Sequence, residues 1–157
     1  MLQIKILTIG KTRELFFQEA EKVFLTRLKK FVQIEIRYLI GEKISPSKTS
    51  TQILQQEGER ILRELNEQFF NIALDVKGKE LDSNEFAEFL GKNLNQGRKI
   101  CFVLGGPLGL SPEVLKKCEF SLSLSKSTFT HELARIVLLE QIYRGFQILG
   151  GTKYHKD

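Results

Sequence analysis

Short runs of isoleucine, leucine, valine and phenylalanine alternate along this chain with longer segments whose apolar positions recur every three or four residues. That alternation limits the folds open to it. Leu2 to Ile9 reads as a buried strand, and Phe16, Ala20, Val23, Phe24, Leu28 and Phe31 mark a helix over about Thr12 to Lys30. Val32 to Ile40 alternates as a second strand, and Ile53, Leu54, Ile61, Leu62, Leu65 and Phe69 place a helix over about Thr51 to Gln68. Gly58 lies inside that helix, where a glycine is costly and permits close packing. A third strand at Phe70 to Val76 is followed by a turn at Lys77-Gly78-Lys79. Asp82 with Glu85 forms a capping box that opens a helix to about Asn95. The fourth strand is Lys99 to Leu104, Ser111 and Pro112 start a short helix, and a brief strand near Ser121 leads to a last helix from about Thr130. Strands alternating with helices imply an α/β domain spanning 1–157, with a mostly parallel sheet covered by helices on both faces. Ligands in such sheets sit beyond the carboxyl ends of the strands, so Leu74-Asp75, Gly105 to Gly109 and Leu124 to Phe129 are expected to converge there.

The last helix is apolar almost all round, with Leu133, Ile136, Val137, Leu138, Leu139, Ile142, Tyr143 and Phe146, and is expected to be covered on more than one side. Glu132, Arg135, Glu140 and Arg144 sit within it, and charges on a covered helix are costly unless paired or used. Glu140 before Arg144 is the favourable order for an ion pair one turn apart. The alternative is an arginine held rigid for a phosphate. Lys153-Tyr154-His155-Lys156 is either a frayed tail or an aromatic between cations that stacks on a base and contacts phosphate.

Charge and composition narrow the partners. Lys and Arg exceed Asp and Glu by 24 to 19, a net +5 that mildly favours an anionic partner. No apolar run approaches the roughly 20 residues that span a bilayer. The N-terminus lacks the basic start and cleavage site of a signal peptide, and Cys101 and Cys118 read as reduced thiols, so a cytosolic location is expected. With only His131 and His155 and no Cys/His cluster, no metal site is expected. Gly10-Lys11-Thr12 is not a phosphate-binding loop, because Lys5 stands where that motif needs a glycine.

Two segments offer ligand chemistry. Gly105 and Gly106 follow a strand, where they either let the backbone approach a ligand or simply make a tight turn. Leu124 to Phe129 places Ser125, Ser127 and Thr128 between apolar ends. It is either a turn whose hydroxyls cap backbone groups or a loop that holds an adenosine by main-chain hydrogen bonds.

LDVKGK at Leu74 to Lys79, FVLGGPLGL at Phe102 to Leu110 and SLSKSTFTH at Ser123 to His131 occur in that order, followed by ARIVLLEQIYRG from Ala134 and YHK from Tyr154. Through these segments, and over essentially its whole length, the chain resembles the ribosomal RNA large subunit methyltransferase H family, pseudouridine N3-methyltransferases of the SPOUT superfamily. The resemblance implies methylation of a pseudouridine in the helix 69 stem-loop of 23S rRNA, on assembled 70S ribosomes, with S-adenosylmethionine as donor. It also implies a C-terminal deep trefoil knot and a homodimer. By position it makes Leu74, Gly105, Leu124, Ser125, Lys126, Ser127, Thr128 and Phe129 cofactor-binding. Tyr143, Arg144, Tyr154 and His155 become the catalytic set, and Arg144, Tyr154, His155 and Lys156 the RNA-side set, with the tail reaching the partner's site. Three positions depart from the family pattern. Thr130 replaces a common proline and should still cap the helix, Leu108 replaces a frequent acidic residue, and Lys156 replaces a frequent arginine. A non-catalytic α/β module that binds nucleotide or RNA is the alternative, separated from the enzyme by titration with S-adenosylmethionine.

Overall fold

The computed structural model describes residues 2–150; Tyr154, His155 and Lys156 lie outside the described residues. Strands and helices alternate throughout: β1 (Gln3–Ile9), α1 (Leu15–Leu28), β2 (Gln33–Leu39), α2 (Ser50–Glu64), β3 (Phe69–Glu80), α3 (Ser83–Asn95), β4 (Lys99–Leu104), α4 (Pro112–Lys117), β5 (Phe120–Ser123) and α5 (His131–Leu149). All strand pairs are parallel, in the order β2-β1-β4-β3-β5.

Alternation within the strands explains the layering. Ile4, Ile6, Ile100, Phe102 and Leu104 point to one face, where Leu28 of α1, Phe86, Leu90 and Leu94 of α3, and Leu138, Leu139, Ile142 and Phe146 of α5 cover them. Leu7, Ile9, Cys101 and Val103 point to the other, under Ile61 of α2 and Val114 of α4. The last helix lies against both α1 and α3 as well as the sheet, so it is covered on more than one side, as its apolar circumference implies. Gly58 brings α2 onto the start of α4: a Cβ there would lie 2.5 Å from Ser111 Oγ.

Local chemistry sets the ends of the elements. Asp82 and Glu85 form the expected capping box on α3, and Ser111 caps α4 with Pro112 in its first turn. Thr130 accepts a hydrogen bond from the Leu133 N–H at 3.3 Å, so it caps α5 as expected. Helix α2 stops at Glu64, short of Gln68, because Leu65 turns extended and Asn66 folds its side chain onto the Gln68 N–H at 2.9 Å. The region 77–79 is not a free turn. It belongs to β3, which pairs with β5 up to Leu74, leaves the ladder, and rejoins it at Lys79 against the same Leu122. Gly78 makes that excursion possible, since a Cβ there would press on the main chain of Ser121 and Leu122 at 2.7–2.8 Å.

Beyond β2, the polar stretch after Gly41 is pinned. The Glu42 carboxylate pairs with Lys48 and Arg60, which hold its pKa below the usual range, and Arg60 also donates to the Ile40 carbonyl at 2.8 Å. No helix among the described residues is long and apolar enough to cross a membrane.

Candidate active site

The carboxyl ends of β3, β4 and β5 open into a cavity of about 900 Å³, within the range of small-molecule sites. Leu74, Asp75 and Val76 come from the excursion of β3, residues 104–110 from the end of β4 and its loop, and Leu122, Leu124, Ser125, Ser127, Thr128 and Phe129 from β5 and the turn after it. The three segments expected to meet therefore do. The fourth wall, missed in the sequence, comes from Glu14 and Phe17 at the start of α1 and from Thr130, His131, Glu132 and Ala134 at the start of α5.

The glycine loop is both a tight turn and a cavity wall. Gly106 and Gly109 pair as an antiparallel bridge, with Gly109 N–H donating to the Gly106 carbonyl at 3.0 Å and Gly109 at φ +82°. A Cβ on Gly105 would overlap the Gly109 carbonyl. Gly105→Ala is therefore expected to open the wall, weakening ligand binding in this cavity by at least about tenfold through lost positioning. Calorimetric titration checks this, with circular dichroism confirming the fold.

In the hydroxyl-rich turn, Ser123 Oγ donates to the Ser125 carbonyl at 3.0 Å, and Ser125 Oγ accepts from the Ser127 N–H at 3.0 Å. Those bonds fix the backbone, while Leu124 and Phe129 supply apolar walls. Lys126 is the exception. Its side chain is 88% exposed, sits 3.7 Å from Glu80, and is not part of the lining.

Charge is the cavity's most telling property. Glu14, Asp75 and Glu132 line it, and among the described residues no lysine or arginine does. Burial and then the Arg135 guanidinium push the His131 imidazole down, so it is uncharged at neutral pH. An apolar cleft with main-chain groups, hydroxyls and carboxylates suits a nucleoside carrying positive charge. Phosphate, by contrast, would meet repulsion.

Arg135 holds the fourth wall in place. It is fully buried and donates to Gly10 O at 3.0 Å and to Thr12 Oγ1, with Glu21 3.4 Å away. Thr12 also donates to Glu21, and Tyr38 Oη donates to Glu21 at 2.6 Å. Burial and that carboxylate push the Tyr38 phenol up to about 12, so it stays a donor. Glu132 accepts from the Arg13 N–H, closing the joint between the two chain segments.

Tyr143 and Arg144 are not brought to this cavity. Arg144 pairs with Glu140 at 2.6 Å, and Tyr143 packs on Phe24, Phe31 and Arg27. From Ala134 at the cavity to Arg144 is roughly 15 Å of helix at 1.5 Å per residue.

The model of the family described as "Predicted SPOUT methyltransferase" matches residues 2–155. The chain belongs to the SPOUT methyltransferase family. It is similar to the ribosomal RNA large subunit methyltransferase H of Carboxydothermus hydrogenoformans, 41% identical over 99% of this chain and 100% of that one. It is also similar to the protein of the same name from Desulfotalea psychrophila, 42% identical over 97% of this chain and 98% of that one. Among solved structures it shares its fold with a probable methylase family protein of Haemophilus influenzae, at TM-score 0.55, 19% identity and coverage of 100% and 72% of the two chains. Membership of a methyltransferase family implies a methyl donor. S-adenosylmethionine, whose sulfonium and ammonium leave it net cationic, fits the donor set: apolar walls for the base, main chain and hydroxyls for the polar edges, and carboxylates for the positive end.

Proposed function

We propose that this SPOUT methyltransferase uses S-adenosylmethionine to methylate N3 of a pseudouridine in the helix 69 stem-loop of 23S rRNA, on assembled 70S ribosomes in the cytoplasm. The observation that carries the donor assignment is the cavity itself, lined by the carboxylates of Glu14, Asp75 and Glu132, the hydroxyls of Ser125, Ser127, Thr128 and Thr130, and no lysine or arginine among the described residues. The names of the relatives support a large-subunit rRNA substrate, and the motif resemblance supports the pseudouridine. Leu74, Gly105, Leu124, Ser125, Ser127, Thr128 and Phe129 hold the donor, with Lys126 contributing main chain only.

The donor supplies an electrophilic methyl on a sulfonium, so the leaving thioether is neutral and no acid is required. The chain must therefore orient the acceptor nitrogen and stabilise it as it loses its proton. A guanidinium near the base lowers the cost of that anion, and Arg144 takes this role, with Tyr143 beside it. Tyr154 and His155 relay the proton, and Lys156 contacts phosphate. Orientation alone is worth up to roughly 7–11 kcal/mol.

A homodimer brings these residues to the site. Leu15 and Phe16 on α1 are 73% and 62% exposed, with Val23 and Leu133 also open, and this apolar surface on the adjoining α1 and α5 suits a second copy. Arg144 then serves the partner's cavity, which resolves its distance from its own. A C-terminal trefoil knot is part of this reading through the motif resemblance. Incubating the protein with labelled donor and 70S particles, then mapping the product by mass spectrometry, tests the assignment. The expected result is one methyl on the target pseudouridine, and no incorporation would overturn it.

A further inference from the structure

The least expected carboxylate in the molecule is outside the cavity, directly behind its wall. Glu57, in the middle of α2, is 3% exposed. No lysine or arginine pairs with it among the described residues. One oxygen, Oε2, accepts the Glu42 N–H at 3.0 Å, and the other, Oε1, is buried without a hydrogen-bond partner. Such an atom is costly to keep in a fold unless something uses it. Burial pushes the carboxyl above its ordinary range.

The surroundings of Oε1 point to its use. A Cβ on Gly106 would lie 3.2 Å from Oε1 and 3.4 Å from Oε2, and a Cβ on Gly41 would lie 3.3 Å from Oε2. A Cβ at either position would also meet Ile9 Cγ2, at 3.1 Å from Gly41 and 3.2 Å from Gly106, so both glycines leave room for Ile9 and for one carboxylate wedged between two loops. One is the pinned stretch after β2, and the other is the glycine wall whose far side faces the cavity.

We infer that Glu57 is a positioning residue for methyl-donor binding. Its carboxyl is tied through Oε2 to the Glu42 main chain, fills the space behind Gly106, and packs Oε1 against the 105–109 wall from the side opposite the ligand. This rests on the reading of the cavity as the donor site. A wall set from behind changes how well the donor is held more than how fast bound donor reacts, so the effect should fall on affinity and KM.

The test uses the full-length protein and S-adenosylmethionine titrated by calorimetry, with thermal melts and steady-state kinetics on 70S particles. Glu57→Ala should raise Kd and the donor KM by about tenfold or more, with kcat at saturating donor within a few-fold of wild type. Glu57→Gln, which keeps the shape and one oxygen to accept the Glu42 N–H, should restore Kd to within a few-fold. If Glu57→Ala does not fold, Gly106→Ala and Glu57→Asp decide the matter. Gly106→Ala pushes a methyl toward the carboxyl and should weaken binding, and shortening the acid in the double variant should recover part of the loss, a coupling expected only of side chains in contact. Wild-type binding with unchanged Kd in folded Glu57→Ala, or strictly additive effects in the pair, overturns the inference. A wild-type chain that does not bind the donor overturns the donor-site reading and this one with it.

Discussion

Replacing Arg135 with alanine is expected to destabilise the protein by about 3–5 kcal/mol, the range for removing one partner from a buried ion pair. The guanidinium is fully buried, and its loss leaves the Glu21 carboxylate, itself 5% exposed, with only the Thr12 and Tyr38 hydroxyls. Gly10 O would lose its donor as well. The effect is large because the charge that remains cannot reach water, and urea denaturation monitored by circular dichroism would show it. The pair itself is a different quantity. Removing both charges, as in Arg135→Met with Glu21→Leu, should recover much of the loss, since apolar replacements of similar volume often match or exceed a buried pair. Equal destabilisation in the single and double variants would show that the hydroxyl network, and not the stranded charge, is what matters.

That same network explains which parts of the site could be read from the sequence. The convergence of Leu74, Gly105 and Leu124 to Phe129 was legible, because a parallel α/β sheet fixes where strand ends gather and each segment is a strand end. Helix starts at Asp82, Ser111 and Thr130 were legible too, since capping is decided within four residues. Glu14 and Phe17 were not. They reach the cavity only because Arg135, far along the chain, clasps Thr12 and Glu21 and so fixes the start of α1. The excursion of β3 was hidden for a similar reason. Lys77-Gly78-Lys79 has the composition of a turn, and only pairing with β5 on both sides of it makes it a bulge. Glu57 gave no local signal at all, because a glutamate on a helix with a polar face is ordinarily solvated. The charges on α5, by contrast, announced themselves. An apolar helix that keeps Arg135 and Glu140 must pair them, and it does.

Arg144→Ala is expected to reduce methylation of 70S particles by about a hundredfold or more, comparable to removing one donor that stabilises developing negative charge. Donor affinity should stay within about twofold, because the proposed role of Arg144 is toward the acceptor base, while the donor's cavity is lined by no arginine among the described residues. Substitution also breaks the 2.6 Å pair with Glu140, but a partly exposed pair within one helix contributes only about 0.3–0.5 kcal/mol, too little to unfold the domain. Loss of activity with intact folding and intact donor binding would thus report on the substrate side. Where Arg144 acts is settled by complementation. If the chain is the proposed homodimer, co-expressing an Arg144→Ala chain with a Gly105→Ala chain gives mixed dimers in which one intact cavity faces one intact Arg144 only if the residue crosses the interface. Random pairing then restores about a quarter of wild-type activity, since about half the dimers are mixed and each has one working site. If Arg144 served its own cavity, the mixed dimers would show no gain over the separate variants at sub-saturating donor, because one chain lacks the arginine and the other binds the donor at least about tenfold more weakly.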